Sequence, residues 1–291
     1  MQTDKSGSSD SKKKWLLGCG IGCGAVLIII VILVVTGALY IKGLVQGFKE
    51  ADVLMDRIIE TYGDVEEYCP EPDGSISPKK LEVFLSVRET FKPAMMEIEQ
   101  ALEEMTRGRK TGDVEVKVPK KNVFKMIGLG FGLIPKLADF IKVRNQALLD
   151  EGMGMGEYFY LYVTVYYSWL GKDLDAGPNI QIHDEDVQWE DEGDDEFRRD
   201  MLIHRIHRLI FPMLRNQLEK LRAMERSTVD EEWLSSLEKE VNALQENRYR
   251  LPWQDGLPAV TKKSLEPFRR RLEDSYNPMT HSLELTFELE R

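Results

Sequence analysis

From Trp15 to Ile41 the chain carries no Asp, Glu, Lys, Arg or His, and its centre, residues 25–35, reads Ala-Val-Leu-Ile-Ile-Ile-Val-Ile-Leu-Val-Val. A bilayer core about 30 Å thick is crossed by roughly 20 apolar residues in a helix, so this run is long enough to span. Its flanks suit that role. Lys12, Lys13 and Lys14 precede it, Trp15 and Tyr40 stand at its ends, and Lys42 follows. Amphipathic rings favour the headgroup layer and a lysine cluster favours the cytoplasmic side. The expectation is a single-pass signal-anchor: a short disordered cytoplasmic tail over 1–14, a transmembrane helix over 15–41 and an extracytoplasmic domain over 42–291.

Cleavage is the competing outcome. A signal peptide has an apolar region of about 7–15 residues ending in a small-residue site, whereas this run is longer and no Ala-x-Ala site follows. Leu16-Leu17-Gly18-Cys19 resembles a lipobox, yet Cys19 comes before most of the apolar region rather than after it. Gly18, Gly20, Gly22 and Gly24 give two overlapping small-xxx-small spacings, through which two helices can approach closely and the chain self-associate. Glycine is also common in spanning helices without such contacts.

The remainder is acidic. Removing the five basic and two acidic residues of 1–42 leaves 34 basic and 48 acidic residues, a net charge of about −14. Such a charge repels phosphate backbones, which argues against nucleic acid as a partner. Only Cys69 lies beyond the apolar run, so no disulfide within the domain is available to it.

Apolar spacing of three and four dominates the domain and predicts a mainly α fold, with short edge strands at most. One helix is expected from 44 to about 68, ended by Cys69-Pro-Glu-Pro-Asp-Gly-Ser. Ser77-Pro78 should open the next, a serine cap followed by proline at the first helical position. Leu81, Phe84, Phe91, Met95, Ile98, Leu102 and Met105 form its stripe, with Arg88 alone filling a polar slot. Pro93 should kink or split it. A polar connector spans 108–119, and Val114, Val116 and Val118 within it suggest a short strand. Residues 122–144 are again helical in period, interrupted by Gly128, Gly130, Gly132 and Pro135.

After Gly152-Met-Gly154-Met-Gly156 comes the aromatic run Tyr158–Trp169, read as a central buried helix whose hydroxyl tips seek partners. A buried strand is its alternative. Residues 171–196 should be irregular, and a long helix should follow over about 196–225, kinked at Pro212. Thr228-Val-Asp-Glu231 fits a capping box for another helix. Leu265, Phe268 and Leu272 suggest a last short helix. The strict alternation Leu283-Glu-Leu-Thr-Phe-Glu-Leu289 predicts an edge strand.

Motifs for chemistry are weak. Neither glycine run has a phosphate-binding spacing. His204 and His207 share a helix face but lack further ligands, and both are followed by arginine. Nine carboxylates between Asp184 and Glu196 fail the calcium-loop register. No cofactor, metal or catalytic residue is assigned. The segment 109–144 is opposite in sign, with nine basic residues against three acids. Its lysines alternate with apolar residues, so Lys120, Lys121, Phe124, Lys125, Phe131 and Lys136 are the candidates for contact with an anionic bilayer surface. An ordinary core helix with solvated lysines is the simpler account. The function expected is a non-enzymatic interaction or scaffold module at a membrane. The alternatives are a helical carrier of an apolar ligand or lipid, lined by Tyr158–Trp169, and an enzyme without a recognisable motif.

Overall fold

The computed structural model describes residues 46–110, 120–177, 181–183, 186–188, 195–225 and 230–286, with side chains described except at 104–132, 181–188, 195–197 and 286. The chain divides into two units, 1–47 and 48–291. The second unit is mainly helical. The elements are α1 (46–62), a 3-10 turn Val65–Glu67, α2 (Pro78–Lys110), α3 (Lys120–Glu151), α4 (Met155–Tyr162) running on as a π-helix Val163–Trp169, β1 (Gln181–His183), β2 (Asp186–Gln188), α5 (Asp195–Ala223), α6 (Glu231–Glu246), α7 (Ala259–Leu265), α8 (Arg269–Asp274) and α9 (His281–Thr286). The strands form one antiparallel pair, Ile182 opposite Val187. The run Trp15–Ile41, the connector valines and Thr228 lie outside the described residues. Among the described residues no helix is long and apolar enough to cross a membrane.

α2 begins where the sequence places it: Ser77 Oγ accepts the Lys80 N–H at 3.3 Å, with Pro78 at the first helical position. Pro93 does not split it, nor do Pro135 and Pro212 split α3 and α5. An interior proline costs about 3 kcal/mol, which burial of a large apolar side chain on each flanking turn offsets. Around Pro93 those residues are Phe91 and Met95, both buried.

α2 and α3 pair along their length. Ser86 Oγ donates to Glu151 at 2.7 Å, Phe91 meets Phe140 edge-on at 5.6 Å, and Lys136 reaches Glu97 at 3.3 Å. Positions rise along α2 as they fall along α3, so the helices are antiparallel. α1 lies on the same hairpin, its Ala51 carbonyl accepting from buried Asn145 at 3.2 Å and Glu50 pairing with Lys142. α5 packs with α6, α4 and α9. Asp230 caps α6 by accepting the Trp233 N–H at 2.9 Å. The cap thus lies two residues beyond the expected Thr228.

The glycine run 152–156 is a corner with a mechanism. Met153 N–H reaches Leu148 O at 2.9 Å and Gly152 N–H reaches Leu149 O at 3.3 Å, the Schellman pattern, with Gly152 at φ +75°. Gly156 then lets α4 rest on the 3-10 turn, since a Cβ there would stand 2.5 Å from Val65 O and 2.6 Å from Tyr68 Cβ. The aromatic run is helical, as expected. Beyond Tyr162 it widens into a π-helix in which Leu170 N–H bonds Val165 O at 2.9 Å, bringing Tyr162, Tyr166 and Tyr167 all into the interior.

The C-terminal segment corrects the sequence expectation. Residues His281–Thr286 are helix, not edge strand, and Phe287–Arg291 lie outside the described residues. Alternation implies that Glu284 faces water, whereas Leu283, Glu284 and Leu285 are all buried. The acid is drawn inward by a specific partner.

Replacement of Gly156 by alanine should lower the unfolding free energy by about 1–3 kcal/mol through overpacking. Gly171→Ala, with nothing within 4 Å of its Cβ, should cost about 1–2 kcal/mol from the left-handed backbone at φ +59° alone. Urea denaturation of both variants measures the two losses.

Candidate functional site

The described residues converge on a charged group in the core. Arg88 occupies the slot of the α2 stripe between Phe84 and Phe91, where an apolar residue would continue the pattern, and it is 1 % exposed. Moving a guanidinium out of water costs several kcal/mol unless paired and fully hydrogen-bonded. All five of its N–H donors have acceptors. Nε and Nη2 donate to the Ser275 carbonyl at 3.0 and 2.7 Å. Nη1 donates to Glu284 Oε2 and to the Tyr158 hydroxyl, both at 2.8 Å, and Nη2 also reaches Glu284 Oε1 at 3.3 Å.

Glu284 is satisfied in turn. Tyr158 Oη donates to Oε2 at 2.5 Å, and Tyr162 Oη stands 3.5 Å from Oε1. The carboxylate therefore meets the guanidinium in the two-pronged arrangement that favours Arg over Lys. Aromatic faces close the cage. The Arg88 guanidinium carbon lies 5.0–5.9 Å from the ring centroids of Tyr166, Tyr162, Phe91 and Phe84. Ser275 Oγ donates to Leu272 O at 2.9 Å, so Tyr166 is the donor in its 2.7 Å contact with that hydroxyl.

These contacts fix the charges. Burial opposes the Arg88 charge, but the Glu284 carboxylate and the surrounding Tyr158, Tyr166 and Tyr162 together outweigh it and hold the guanidinium above its ordinary range. Burial pushes the Tyr158 and Tyr162 phenols well up, against the opposing pull of Arg88, and pushes Tyr166 up to about 12. The tyrosines are neutral donors throughout the physiological range. A sealed, fully paired cluster of this kind holds elements together rather than meeting a reactant.

Next to it sits a second polar contact. His281 opens α9 and accepts from, or donates to, Tyr167 Oη through Nδ1 at 2.9 Å, while Nε2 stands 2.5 Å from Ala176 O. A carbonyl only accepts, so Nε2 carries the proton and Nδ1 takes the Tyr167 hydrogen. Burial holds His281 below the ordinary histidine range, with Arg198 adding to the effect.

The residues singled out in the sequence are dispersed. Lys136 is partly exposed and paired with Glu97. Lys120, Lys121, Phe124, Lys125 and Phe131 lie on the helical backbone of α3, in the stretch whose side chains are not described. Gly18, Gly20, Gly22 and Gly24 lie outside the described residues. His207 Nε2 donates to Leu244 O at 2.9 Å and its ring stacks on Phe211, a packing role. His204 is pushed below the ordinary range by desolvation and by the nearby Arg208 and Arg248 charges. Among the described residues no group of three or more His, Cys, Asp or Glu is placed to hold a metal ion. Sequence reasoning missed Glu284, Ser275 and His281. The available signal was Arg88 itself, since a charge in an apolar stripe requires a buried partner elsewhere.

Tyr158→Phe should lower stability by about 1–3 kcal/mol, because it removes one donor to Glu284 and one acceptor from Arg88. Tyr249→Phe, on an exposed side chain, should change it by less than about 0.5 kcal/mol. Paired denaturation curves check both.

No protein-family model, no curated protein and no solved structure matches this chain.

Proposed function

We propose that the chain is a single-span membrane protein whose helical domain serves as an interaction module beside the bilayer. This reading rests on the uncharged run Trp15–Ile41, with three lysines on its N-terminal edge and an aromatic residue at each end. On the same grounds the N-terminal tail is cytoplasmic and the domain extracytoplasmic, and Gly18, Gly20, Gly22 and Gly24 supply a face for self-association. The Lys120–Lys136 stretch of α3 is the part of the domain best suited by charge to touch anionic headgroups. An interaction module is favoured over a carrier of apolar ligands because the rings of Tyr158, Tyr162 and Tyr166 already pack on Phe84, Phe91 and Arg88. Side chains fill the place a ligand would take.

The test is extraction of membranes with alkaline carbonate. The full chain should stay in the pellet and leave only with detergent. Ile29→Arg combined with Leu33→Arg should shift it toward the soluble fraction, since each charge at the centre of a span costs about 2.5–3.5 kcal/mol of insertion. Release of the unaltered chain by carbonate overturns the proposal. A reporter fused after Arg291 should be active only outside the cytoplasm, and cytoplasmic activity would reverse the orientation.

A further inference from the structure

We propose that Thr280–Leu285 is an acid-released latch, with His281 as its trigger. Every residue from Thr280 to Leu285 is buried, although the helix there, His281–Thr286, is only six residues long. Such a segment holds by its tertiary contacts and not by its own helical hydrogen bonds. Two polar contacts pin it. Glu284 is clamped by Arg88 and Tyr158, and three residues earlier His281 bridges Tyr167 and Ala176 O. The approach is close as well: a Cβ on Gly177 would fall 2.2 Å from Pro278 O, so the chain entering α9 lies directly on the 176–177 loop.

His281 fits its pocket in one protonation state. With Nε2–H given to Ala176 O, Nδ1 offers a lone pair to Tyr167. A second proton on the ring turns that acceptor into a donor, forces the Tyr167 hydrogen to rotate away and leaves a charge in a site closed to water. The groups around it are of both signs. Arg198 on α5 donates to the Ala176 and Gly177 carbonyls at 2.8 and 3.2 Å and opposes the imidazolium. Asp173 and Glu284 favour it. Tyr167 and Tyr276 present neutral rings at 6.2 and 6.0 Å, and Lys172 Nζ lies 5.3 Å from the Tyr276 ring centroid. Glu284 is already committed to Arg88, so burial and Arg198 prevail and the folded group is held below its ordinary value.

That lowering sets the direction of the pH dependence. When α9 is open, His281 is hydrated and titrates near the ordinary value of about 6.5. The closed state binds its proton only at lower pH. Closure is therefore complete above about pH 6.5 and weakens as pH falls below it, because the open state takes up the proton first.

Hydrogen–deuterium exchange on the full chain in detergent, corrected for intrinsic rates, reads this directly. Between pH 7.5 and 5.5 exchange in 280–286 and in the facing Val163–Trp169 segment should rise several-fold relative to α6. His281→Gln, which keeps a donor toward Ala176 O but does not titrate, should abolish the difference. A uniform change across the domain, or a selective change retained in His281→Gln, overturns the proposal. Should H281Q not fold, the chain carrying His183→Gln, His204→Gln and His207→Gln keeps His281 as its one histidine. Its imidazole resonance should then titrate together with the exchange of α9, and a resonance that titrates independently of that exchange overturns the proposal.

Discussion

A single guanidinium decides how this domain closes. Arg88 is delivered to the core by the same helical period that delivers Phe84 and Phe91, and a buried cation tolerates no partial solution. Its five donors are met by acceptors from α2's neighbours in space, not in sequence: Tyr158 on α4, the Ser275 carbonyl at the end of α8 and Glu284 on α9. Those groups lie 70 to 196 residues away along the chain. Satisfying Arg88 therefore requires the C-terminal segment to return to α2. The aromatic cage follows from the same constraint. Tyr162 and Tyr166 face the cation with their rings, and the π-helical turn keeps Tyr167 on the inner side as well, where it meets His281.

Much of this was legible in the sequence because helix periodicity is a strong signal over long segments. The α2 stripe, the Ser77-Pro78 start and the buried aromatic helix are all where residue spacing puts them. Where the local pattern falls short, the cause is packing between distant segments. Pro93 could have split α2, yet the helix runs on through it because packing of the flanking turns exceeds the lost hydrogen bond. Leu283–Leu285 alternates as a strand does, yet Glu284 is buried because Arg88 needs it. Both outcomes depend on contacts between distant segments, which period and propensity do not encode. Asp230 in place of Thr228 as the cap is a smaller case: either oxygen suits the role, and the one that meets the Trp233 N–H is fixed by where α6 packs.

The candidate site shares this division. Arg88 stood out as a charge in an apolar stripe, and its presence implied a buried partner without naming it. His281 gave no signal, standing two residues before a stretch that reads as strand. The proposed anchor, by contrast, depends on composition alone, and it would tether beside a bilayer a domain whose charge is largely negative and whose core holds the clamped Arg88–Glu284 pair. Anchor and ion pair are independent: the pair organises the domain whether or not the apolar run spans a membrane.

A double-mutant cycle on Arg88 and Glu284 would show whether the domain rests on this pair. Unfolding free energies would be compared for the unaltered chain, Arg88→Met, Glu284→Leu and the pair together. Each single change strands one buried charge or removes its partner and should cost about 3–5 kcal/mol, while the double variant should cost much less than their sum. Additive losses, or singles within about 1 kcal/mol of the unaltered chain, would contradict the pair as the constraint on which the domain depends.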